Sequence, residues 1–299
     1  METPFPYAGE IAAIATATCW AFTAIAFESA GKRVGSLAVN QIRLVIAFLL
    51  LSAMCWITRG TPLPTDATAH NWIWLGASGI VGFTLGDLCL FRALVEIGSR
   101  VSTLLMALVP PLTALIGWLA LGESLGPLDL AGMALTLAGV VVVILERKED
   151  EAGRRKLPVR GLLLGLGGAL GQAVGLVMSK HGMQGFSPFA STQIRVIAGI
   201  AGFTLIFAVI GWWPRVLSAI RDSRAMTRTA LGAVFGPFLG VSLSLVAVSY
   251  TKAGVAATLM ALSPVIILAP ACLVMKERVS LRAIGGAVVA VAGTALLFL

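Results

Sequence analysis

The sequence predicts an all-helical integral membrane protein, and three observations lead to that fold class. Of its 299 residues, 58% are hydrophobic and only 12% are charged, and the mean hydropathy is +0.94. So few charged side chains cannot cover a soluble surface. Apolar runs long enough to cross a bilayer recur along the chain, and several polar residues repeat at a nearly constant spacing.

Ten apolar runs of about 20 residues, the length that a membrane span needs, lie between charged or Pro/Gly-rich breaks. The first five are 8–29, 38–58, 72–95, 101–121 and 126–145, and the second five are 160–180, 189–211, 229–250, 255–275 and 282–299. No run shows the alternating pattern of a transmembrane barrel. Helices are therefore the expected spanning elements.

A strongly charged segment, ERKEDEAGRRKLPVR at 146–160, divides these runs into two sets of five. Pro158 opposes continuation of a helix through it. The sequence thus predicts a first five-helix unit at 1–146, a charged linker at 147–159 and a second unit at 160–299. Because five is odd, two related units would cross the membrane in opposite orientations.

An internal repeat supports that division. NQIRLVIA, which contains Gln41 and Arg43, matches TQIRVIAG, which contains Gln193 and Arg195, at an offset of 152. At an offset of 154, LMALVP, which ends at Pro110, matches LMALSP. The same offset pairs Gly82, Gly86, Glu123, Gly132 and Gly139 with Gly236, Gly240, Glu277, Gly286 and Gly293. Ordered matches of Arg, Pro, Glu and Gly predict two inverted repeats.

Two of the matched segments resemble a known family. LLMALVPPLTALIGWLALGESL at Leu104–Leu125 and TLMALSPVIILAPACLVMKERVS at Thr258–Ser280 are similar to the fourth and ninth helices of EamA-type transporters, in the drug/metabolite transporter superfamily. The resemblance covers both halves of the chain. Met275-Lys276-Glu277 departs from Leu121-Gly122-Glu123 of the first half, which predicts a different second turn.

This resemblance implies ten helices in two inverted halves and transport of small organic solutes, amino acids included; the YddG-type amino-acid exporters are one branch. We therefore expect a secondary or facilitative transporter that exports small metabolites, most plausibly aromatic or other neutral amino acids, by alternating access. The alternatives are a multidrug, nucleotide-sugar or phosphate-ester transporter and, in another class, an intramembrane enzyme or a channel. The sequence lacks HExxH, GxSxG and Walker-type motifs, so neither an enzyme nor a bound cofactor is expected.

Six residues of the predicted spans are candidates for a midplane substrate pocket. Trp20 and Gln172 occupy matched positions and would supply an aromatic plate and a hydrogen-bonding amide. Flexible methionine side chains suit a pocket for varied apolar groups, but a packing role is equally open to them. The candidates are Trp20, Phe83, Met106, Gln172, Met260 and Ser263.

Pro110 and Pro264 lie inside predicted spans, at matched positions. Proline removes a helix hydrogen bond and tends to kink a helix. The carbonyls thus freed would face a cavity between the halves, or else the prolines only shape packing.

Ionisable residues within predicted spans need a partner or water. Arg43 and Arg195 form a repeated pair that would attract a carboxylate or phosphate, or tie helix ends to loops. Asp87 has no acidic counterpart, because position 241 is Val. We expect Asp87 to pair with Arg92 or Arg43, although a proton relay is the other interpretation.

Glycines at every fourth position predict smooth packing seams on the third, sixth and eighth spans. Glu123 and Glu277 follow the fourth and ninth spans, where each is expected to cap the next helix. The cysteines and histidines show no metal-ligand spacing, so no metal site is expected.

The net charge is +8, and the basic residues punctuate apolar runs, which favours a lipid bilayer over nucleic acid as the partner. With the termini outside, the outer loops hold only Arg59, Lys180 and Lys252. The inner loops then hold Lys32, Arg33, Arg100, the linker cations, Arg215, Arg221, Arg224, Arg228, Lys276, Arg278 and Arg282. The positive-inside rule predicts this orientation in an inner (plasma) membrane, whereas the family resemblance implies termini inside. The expected partners are a small-molecule substrate and optionally a proton, and the expected state is a monomer.

Overall fold

The computed structural model describes residues 6–146, 158–266 and 280–298. The described residues form helices joined by short connections, without a strand among them. Most of the predicted linker lies outside the described residues. So do the end of the ninth predicted span, with Pro270 and Cys272, and the turn after it, with Glu277.

The first half, before the linker, contains six α-helices and one π-helix. They are α1 Ala8–Val34, α2 Ser36–Arg59, α3 Ala69–Gly79, π1 Ile80–Gly86, α4 Asp87–Met106, α5 Val109–Leu121 and α6 Pro127–Glu146. The second half is similar in order. It contains α7 Val159–Met183, α8 Pro188–Ile210, α9 Trp213–Ile220, α10 Ser223–Ala233, π2 Val234–Gly240, α11 Val241–Tyr250, α12 Ala253–Met260, α13 Ser263–Ile266 and α14 Leu281–Leu296.

By length and composition, 7 helical stretches of the described residues can cross a membrane. They are Ser36–Arg59, Ala69–Ala93, Ser102–Leu121, Pro127–Leu145, Val159–Met183, Pro188–Ile210 and Ser223–Tyr250. Two shorter apolar helical stretches are Ala253–Ile266 and Leu281–Leu296. Many large apolar side chains are exposed, for example Ile57 at 82% and Val209 at 79%. The molecule is therefore an all-helical, multi-pass membrane protein whose outer surface suits lipid.

The connection between the third and fourth predicted spans differs from expectation. Helix α4 continues through residues 96–100, where the sequence suggested a loop. Positions along α7 show the path: Gly168 lies against Leu90, Gly161 against Ile97, and Gly165 against Leu105. The parts of α4 before and after residues 96–100 therefore both lie against α7.

The two π-helices lie at the same place in the two halves. Both have 7 residues, and π2 begins 154 positions after π1. The backbone N–H of Asp87 donates to Gly82 O, and that of Val241 donates to Gly236 O, so each π-turn ends on a matched glycine. A π-turn widens the helix locally and is common at functional sites.

Helices α6 and α14 pack through glycines that face each other in antiparallel order. A Cβ added at Gly139 would lie 2.4 Å from Gly286 O, and a Cβ added at Gly293 would lie 2.9 Å from Gly132 O. Gly132 and Gly286 are repeat partners, as are Gly139 and Gly293. If each glycine is exchanged for its matched glycine, the contact between Gly139 and Gly286 becomes the contact between Gly293 and Gly132. This exchange is what a local two-fold axis perpendicular to the helices would produce.

Two hydrophobic clusters form the interior. The first gathers buried residues of α1, α3, α6, α7, α8, α11, α12 and α14, such as Leu245, Leu259 and Met260. The second joins α2, π1, α8, α9 and the start of α11 around Phe83, Phe203 and Phe207. The polar residues described next lie beside these clusters.

Candidate functional site

Two helix crossings bring the matched midspan positions Trp20 and Gln172 against the two π-helices. Helix α1 crosses π2, and helix α7 crosses π1. A Cβ added at Gly240 would lie 2.8 Å from Cδ1 and Nε1 of Trp20, and one added at Gly86 would lie 3.5 Å from Nε2 of Gln172. The two matched glycines thus make room for the two matched side chains.

The α7–π1 crossing is polar. Nε2 of Gln172 donates to Gly82 O at 3.3 Å and to Oδ1 of Asp87 at 3.0 Å. Oδ2 of Asp87 accepts a hydrogen bond from Arg43 Nη2 and forms an ion pair with it. Asp87 is only 6% exposed. Each of its carboxylate oxygens therefore has a donor from a different helix.

Arg195 lies beside this group and is 4% exposed. Its guanidinium carbon is 4.8 Å from the centre of the Phe83 ring, and a Cβ added at Gly82 would lie 3.3 Å from its Nη2 atom. Arg195 and Asp87 also interact electrostatically. Among the described residues, however, Nε of Arg195 has no hydrogen-bond partner.

Nε of Arg43 likewise has no hydrogen-bond partner among the described residues, but the rest of its guanidinium is held on several sides. Besides its ion pair with Asp87, its guanidinium carbon lies 5.2 Å from the Phe27 ring centre and 5.9 Å from that of Phe91. Cations are attracted to aromatic faces at these distances. Arg43, Asp87 and Arg195 thus form a charged cluster, with two cations and one anion.

The α1–π2 crossing is apolar at the corresponding position, because Val241 replaces Asp87. The rings of Phe22 and Phe235 are 5.8 Å apart, and Trp20 packs against the first hydrophobic cluster. The hydroxyl of Thr23 donates to Cys19 O within its own helix, at 2.9 Å. To a substrate, this crossing would present an aromatic ring and methyl groups, and no charges.

The predicted ion pair of Asp87 is therefore with Arg43. Arg92, the other candidate partner, is exposed. Its position on α4 directs it away from the Asp87 carboxylate, whose two oxygens are used by Arg43 and Gln172.

Pro110 and Pro264, which the sequence predicts to kink their spans, each lie just after a break in the α-helix, within the helical stretches Ser102–Leu121 and Ala253–Ile266. Helix α4 ends at Met106 and α5 begins at Val109, so Pro110 lies in a first turn. Pro264 likewise lies in the first turn of α13, after α12 ends at Met260. A first turn tolerates proline because its N–H groups have no partner within the helix. The α-helical hydrogen bonding is therefore interrupted here, at matched positions in the two halves.

Ser263 lies at the second interruption. Its Oγ is 2.9 Å from Ala17 O on α1 and 3.1 Å from Met260 O. Proline at 264 cannot donate to Met260 O, and the hydroxyl takes over that role. Ser263 therefore links α13 to α1, close to Trp20.

The structure places five of the six predicted pocket residues in two groups. Trp20, Met260 and Ser263 lie on the α1 side, within or against the first hydrophobic cluster or bonded to α1. Phe83 and Gln172 contact the charged cluster. Met106 is half-buried at the end of α4. That all six line one substrate pocket stays a prediction.

The expected role of Glu123 is corrected. It does not cap α6, the next helix; its Oε2 accepts from the N–H of Ala253 at 2.8 Å and so caps α12 in the other half. Its Oε1 is 2.5 Å from Nζ of Lys180, which also donates to Thr251 O at 2.6 Å. Glu123 thereby joins the connection after α5 to the end of α7 and to the connection before α12. This end of the molecule is also where α1 begins, because Gly9 lies against Thr251.

A cavity of about 340 Å³ lies near this end, away from the crossings. It is lined by Ala114, Leu115, Trp118, Glu123, Ser124, Leu125 and Leu130. None of the predicted pocket residues lines it, and several of its lining side chains, such as Trp118 at 59%, are exposed. It is a surface depression at the lipid-facing side of α5.

Sequence reasoning missed Phe27, Phe91 and Lys180 as partners of charged residues. Phenylalanine in an apolar run gives no signal of a cation beside it. Lys180 was recognised only as a loop charge, because the acid that it contacts is 57 positions away in the sequence.

Comparisons with known proteins bear on the family and the fold of this chain. The model of the EamA-like transporter family matches residues 7–145 and 159–299. No curated protein matches the chain. Among solved structures, 29 chains match; one, described only as "Crystal structure of protein", has a TM-score of 0.74 at 20% identity and covers 98% of this chain and 96% of its own. At that identity the likeness concerns the fold alone.

Proposed function

This chain belongs to the EamA-like transporter family, so it is a membrane transporter of small molecules and not an enzyme, and we propose that it is a ten-helix carrier that exports amino acids. In this proposal the carrier is secondary or facilitative and works by alternating access. The two crossings carry the proposal, because they place matched side chains, Trp20 and Gln172, on matched π-helices.

Two inverted five-helix repeats, at 1–146 and 160–299 with a linker at 147–159, are part of this proposal. The π-helices and the chain interruptions before Pro110 and Pro264 recur at an offset of 154. The reciprocal glycine contacts between α6 and α14 fit a two-fold axis perpendicular to the helices. Such an axis in the membrane plane relates inverted repeats. The two family-model matches, one in each half, support the same division.

Alternating access requires the halves to rock about a central site. Glycine seams suit that movement, since they allow backbones to approach and slide. In each crossing a side chain from the opposite half lies against the seam glycine: Trp20 against Gly240, and Gln172 against Gly86. A movement of either crossing therefore changes the surroundings of one candidate pocket residue.

The chemistry of the crossings favours amino acids over purely apolar solutes. Gln172 and the charged cluster offer hydrogen bonds and charge. Trp20 offers an aromatic face, and the Ser263 hydroxyl contacts Ala17 O, one turn before Trp20 on α1. A neutral amino acid needs both kinds of surroundings, one for its backbone groups and one for its side chain.

We further propose that the termini face outward from the inner membrane. On the terminal side, the three basic residues Arg59, Lys180 and Lys252 are ion-paired with Asp66, Glu123 and Asp129. On the opposite side, cations far outnumber acids in the loops and helix ends, and the positive-inside rule therefore supports a cytoplasmic location for that side. A C-terminal alkaline phosphatase fusion should be active. An inactive fusion, with an active fusion in the 213–222 connection, would reverse this orientation.

The transport proposal is tested with the purified chain in liposomes. Vesicles loaded with an unlabelled neutral amino acid should accumulate the same labelled amino acid, and internal substrate should accelerate its entry. Trans-stimulation indicates a carrier, because a channel gives uptake that internal substrate does not accelerate. Absence of exchange across a panel of neutral amino acids would contradict the amino-acid proposal.

A further inference from the structure

The charged cluster leaves one positive charge unbalanced. Arg43 and Asp87 form an ion pair, and the second oxygen of Asp87 accepts from Gln172. Arg195 is therefore a third charged group beside a carboxylate whose two oxygens already have donors. It is 96% buried, since its exposed fraction is 4%.

A buried guanidinium without hydrogen-bond acceptors is costly, more so within a membrane. Among the described residues, no hydrogen bond or ion pair satisfies Arg195, and its Nε has no partner. The face of Phe83, 4.8 Å away, attracts the cation but accepts none of its hydrogen bonds in the plane of the guanidinium. The donors of Arg195 are thus free for an anion.

We propose that Arg195 binds the carboxylate of the transported amino acid. This inference rests on the proposed function and names the part of the site that selects the substrate class. A guanidinium presents a planar fork that matches a carboxylate with two parallel hydrogen bonds. The single negative charge of a carboxylate also balances the single excess positive charge of the cluster, whereas a phosphate dianion would exceed it.

The surroundings of Arg195 explain how the substrate reaches it. A Cβ added at Gly79 would lie 2.3 Å from Arg195 O, and one added at Gly199 would lie 3.1 Å from Cβ of Phe83. Helix α8 therefore packs closely on α3 and π1, and Arg195 is closed from solvent in this state. Separation of α8 from π1 opens a path to the guanidinium, and the glycine contacts let the helices close again.

The test measures binding and transport separately. The purified full chain in detergent is titrated with L-leucine and L-phenylalanine and, in parallel, with L-leucinamide and L-phenylalaninamide, while its unfolding temperature is followed. The amides keep the amino group and side chain but lack the carboxylate. We expect the acids to raise the unfolding temperature at concentrations about 10- to 100-fold below those at which the amides act, the difference that a charged, bidentate hydrogen bond provides.

Variants then locate the effect. Arg195→Gln should remove the preference for acid over amide, and Arg195→Lys should retain only part of it, because a lysine ammonium lacks the fork. Arg59→Gln is the matched control. Arg59 also lies 4.8 Å from an aromatic ring, that of Phe186, and is ion-paired, but it lies away from the crossings, so its variant should keep the full preference.

The outcomes are distinct. Equal stabilisation of the wild-type chain by acids and amides overturns the Arg195 proposal even when liposome exchange succeeds, and this comparison does not depend on whether Arg195→Gln folds. Stronger stabilisation by inorganic phosphate than by the amino acids also overturns it, in favour of a phosphate-bearing substrate. If no amino acid is exchanged or bound, the transport proposal fails together with it. An acid preference that Arg195→Gln retains assigns the carboxylate to another group.

Discussion

The α7–π1 and α1–π2 crossings use the same backbone arrangement and opposite chemistry. In both, a helix packs on a 7-residue π-helix at a matched glycine. At the first crossing, Gln172 and Asp87 connect to two arginines. At the second, Trp20 and Val241 occupy the corresponding positions among apolar neighbours.

This difference separates what the repeat preserves from what it varies. The glycines allow the close approach, and the π-turns set the geometry, so these features occur twice. The side chains that would meet a substrate occur once each. A symmetric scaffold can therefore rock about its centre, while a single polar crossing orients an asymmetric substrate in the same way in every cycle.

The strongest way to break the comparison is to make the polar crossing resemble the apolar one by removing its anion. Asp87→Asn leaves Arg43 and Arg195 buried without a counter-charge. Removal of one partner from a buried ion pair costs about 3–5 kcal/mol, so we expect a large fall in the unfolding temperature of the detergent-solubilised chain, measured by tryptophan fluorescence.

Asp66→Asn is the control for this loss. It also removes a carboxylate from an arginine, but the side chain of Asp66 is 58% exposed, and exposed ion pairs contribute at most about 1 kcal/mol. Equal destabilisation by the two variants would mean that the buried Asp87–Arg43 ion pair stabilises the fold no more than the exposed Asp66–Arg59 pair.

The second prediction compares the two glycine contacts directly. A Cβ at Gly240 would lie 2.7 Å from Phe235 O and 2.8 Å from the Trp20 ring, whereas one at Gly86 would lie 3.1 Å from Val81 O and 3.5 Å from the end of Gln172. Overpacking costs about 1–3 kcal/mol. We expect Gly240→Ala near the upper end of that range and Gly86→Ala near the lower end, because an indole ring cannot move aside as a glutamine amide can.

Gly76→Ala supplies the baseline, since no atom lies within 4 Å of the added Cβ. It should leave liposome exchange unchanged and raise the unfolding temperature slightly, because alanine is a better helix former than glycine. A greater effect of Gly86→Ala than of Gly240→Ala would contradict the view that the apolar crossing is the more tightly filled.

A third, smaller effect concerns the amide of Gln172. Gln172→Leu preserves approximate volume but removes the donors to Gly82 O and to Asp87. Loss of a hydrogen bond to a charged group costs about 1.5 kcal/mol or somewhat more, less than loss of the anion itself. The unfolding temperature should fall moderately, and a double variant with Asp87→Asn should lose less than the sum of the two, because both act on the same contact.

Much of this architecture was readable from the sequence. The apolar runs predicted the helices, and the matched Gly, Arg and Pro positions predicted where the halves correspond. Asp87 was expected to pair with Arg43 or Arg92, since an acid within a span needs a cation. Arg92 lies five positions after Asp87 on the same helix, a spacing that does not put two side chains on one helix face, whereas only tertiary packing brings Arg43 of α2 to the carboxylate.

Other features depended on the same packing. Proline positions predicted a disturbance at Pro110 and Pro264, but kinks and interruptions both accommodate proline. Glu123 was expected to act locally, yet it caps α12, from the other half. A capping signal in sequence identifies a side chain that can accept hydrogen bonds, and it does not identify which helix end lies nearest in space.

The smallest expected change in stability concerns a surface ion pair beyond the apolar crossing, between Arg33 and Asp222. Asp222 caps α10 by accepting from the N–H of Ala225 at 3.0 Å, and it is ion-paired with Arg33 at the end of α1 at 2.8 Å. The hydrogen bond from Ala225 and the guanidinium of Arg33 lower the pKa of Asp222 below its ordinary value of 3.8. A carboxyl with a lowered pKa in the folded state stabilises the fold above its unfolded pKa, and this contribution is lost as the pH falls through the folded pKa.

Asp222→Asn separates the charge from the cap, because asparagine still accepts the N-cap hydrogen bond. We expect a slightly lower unfolding temperature than wild type at neutral pH, and a difference that shrinks as the pH falls below about 3.8, the ordinary pKa of the group. Asp222→Ala, which also loses the cap, should remain less stable than Asp222→Asn in acid, since the asparagine cap does not titrate. A difference between wild type and Asp222→Asn that is independent of pH would show that the charge at this end of the crossing contributes nothing.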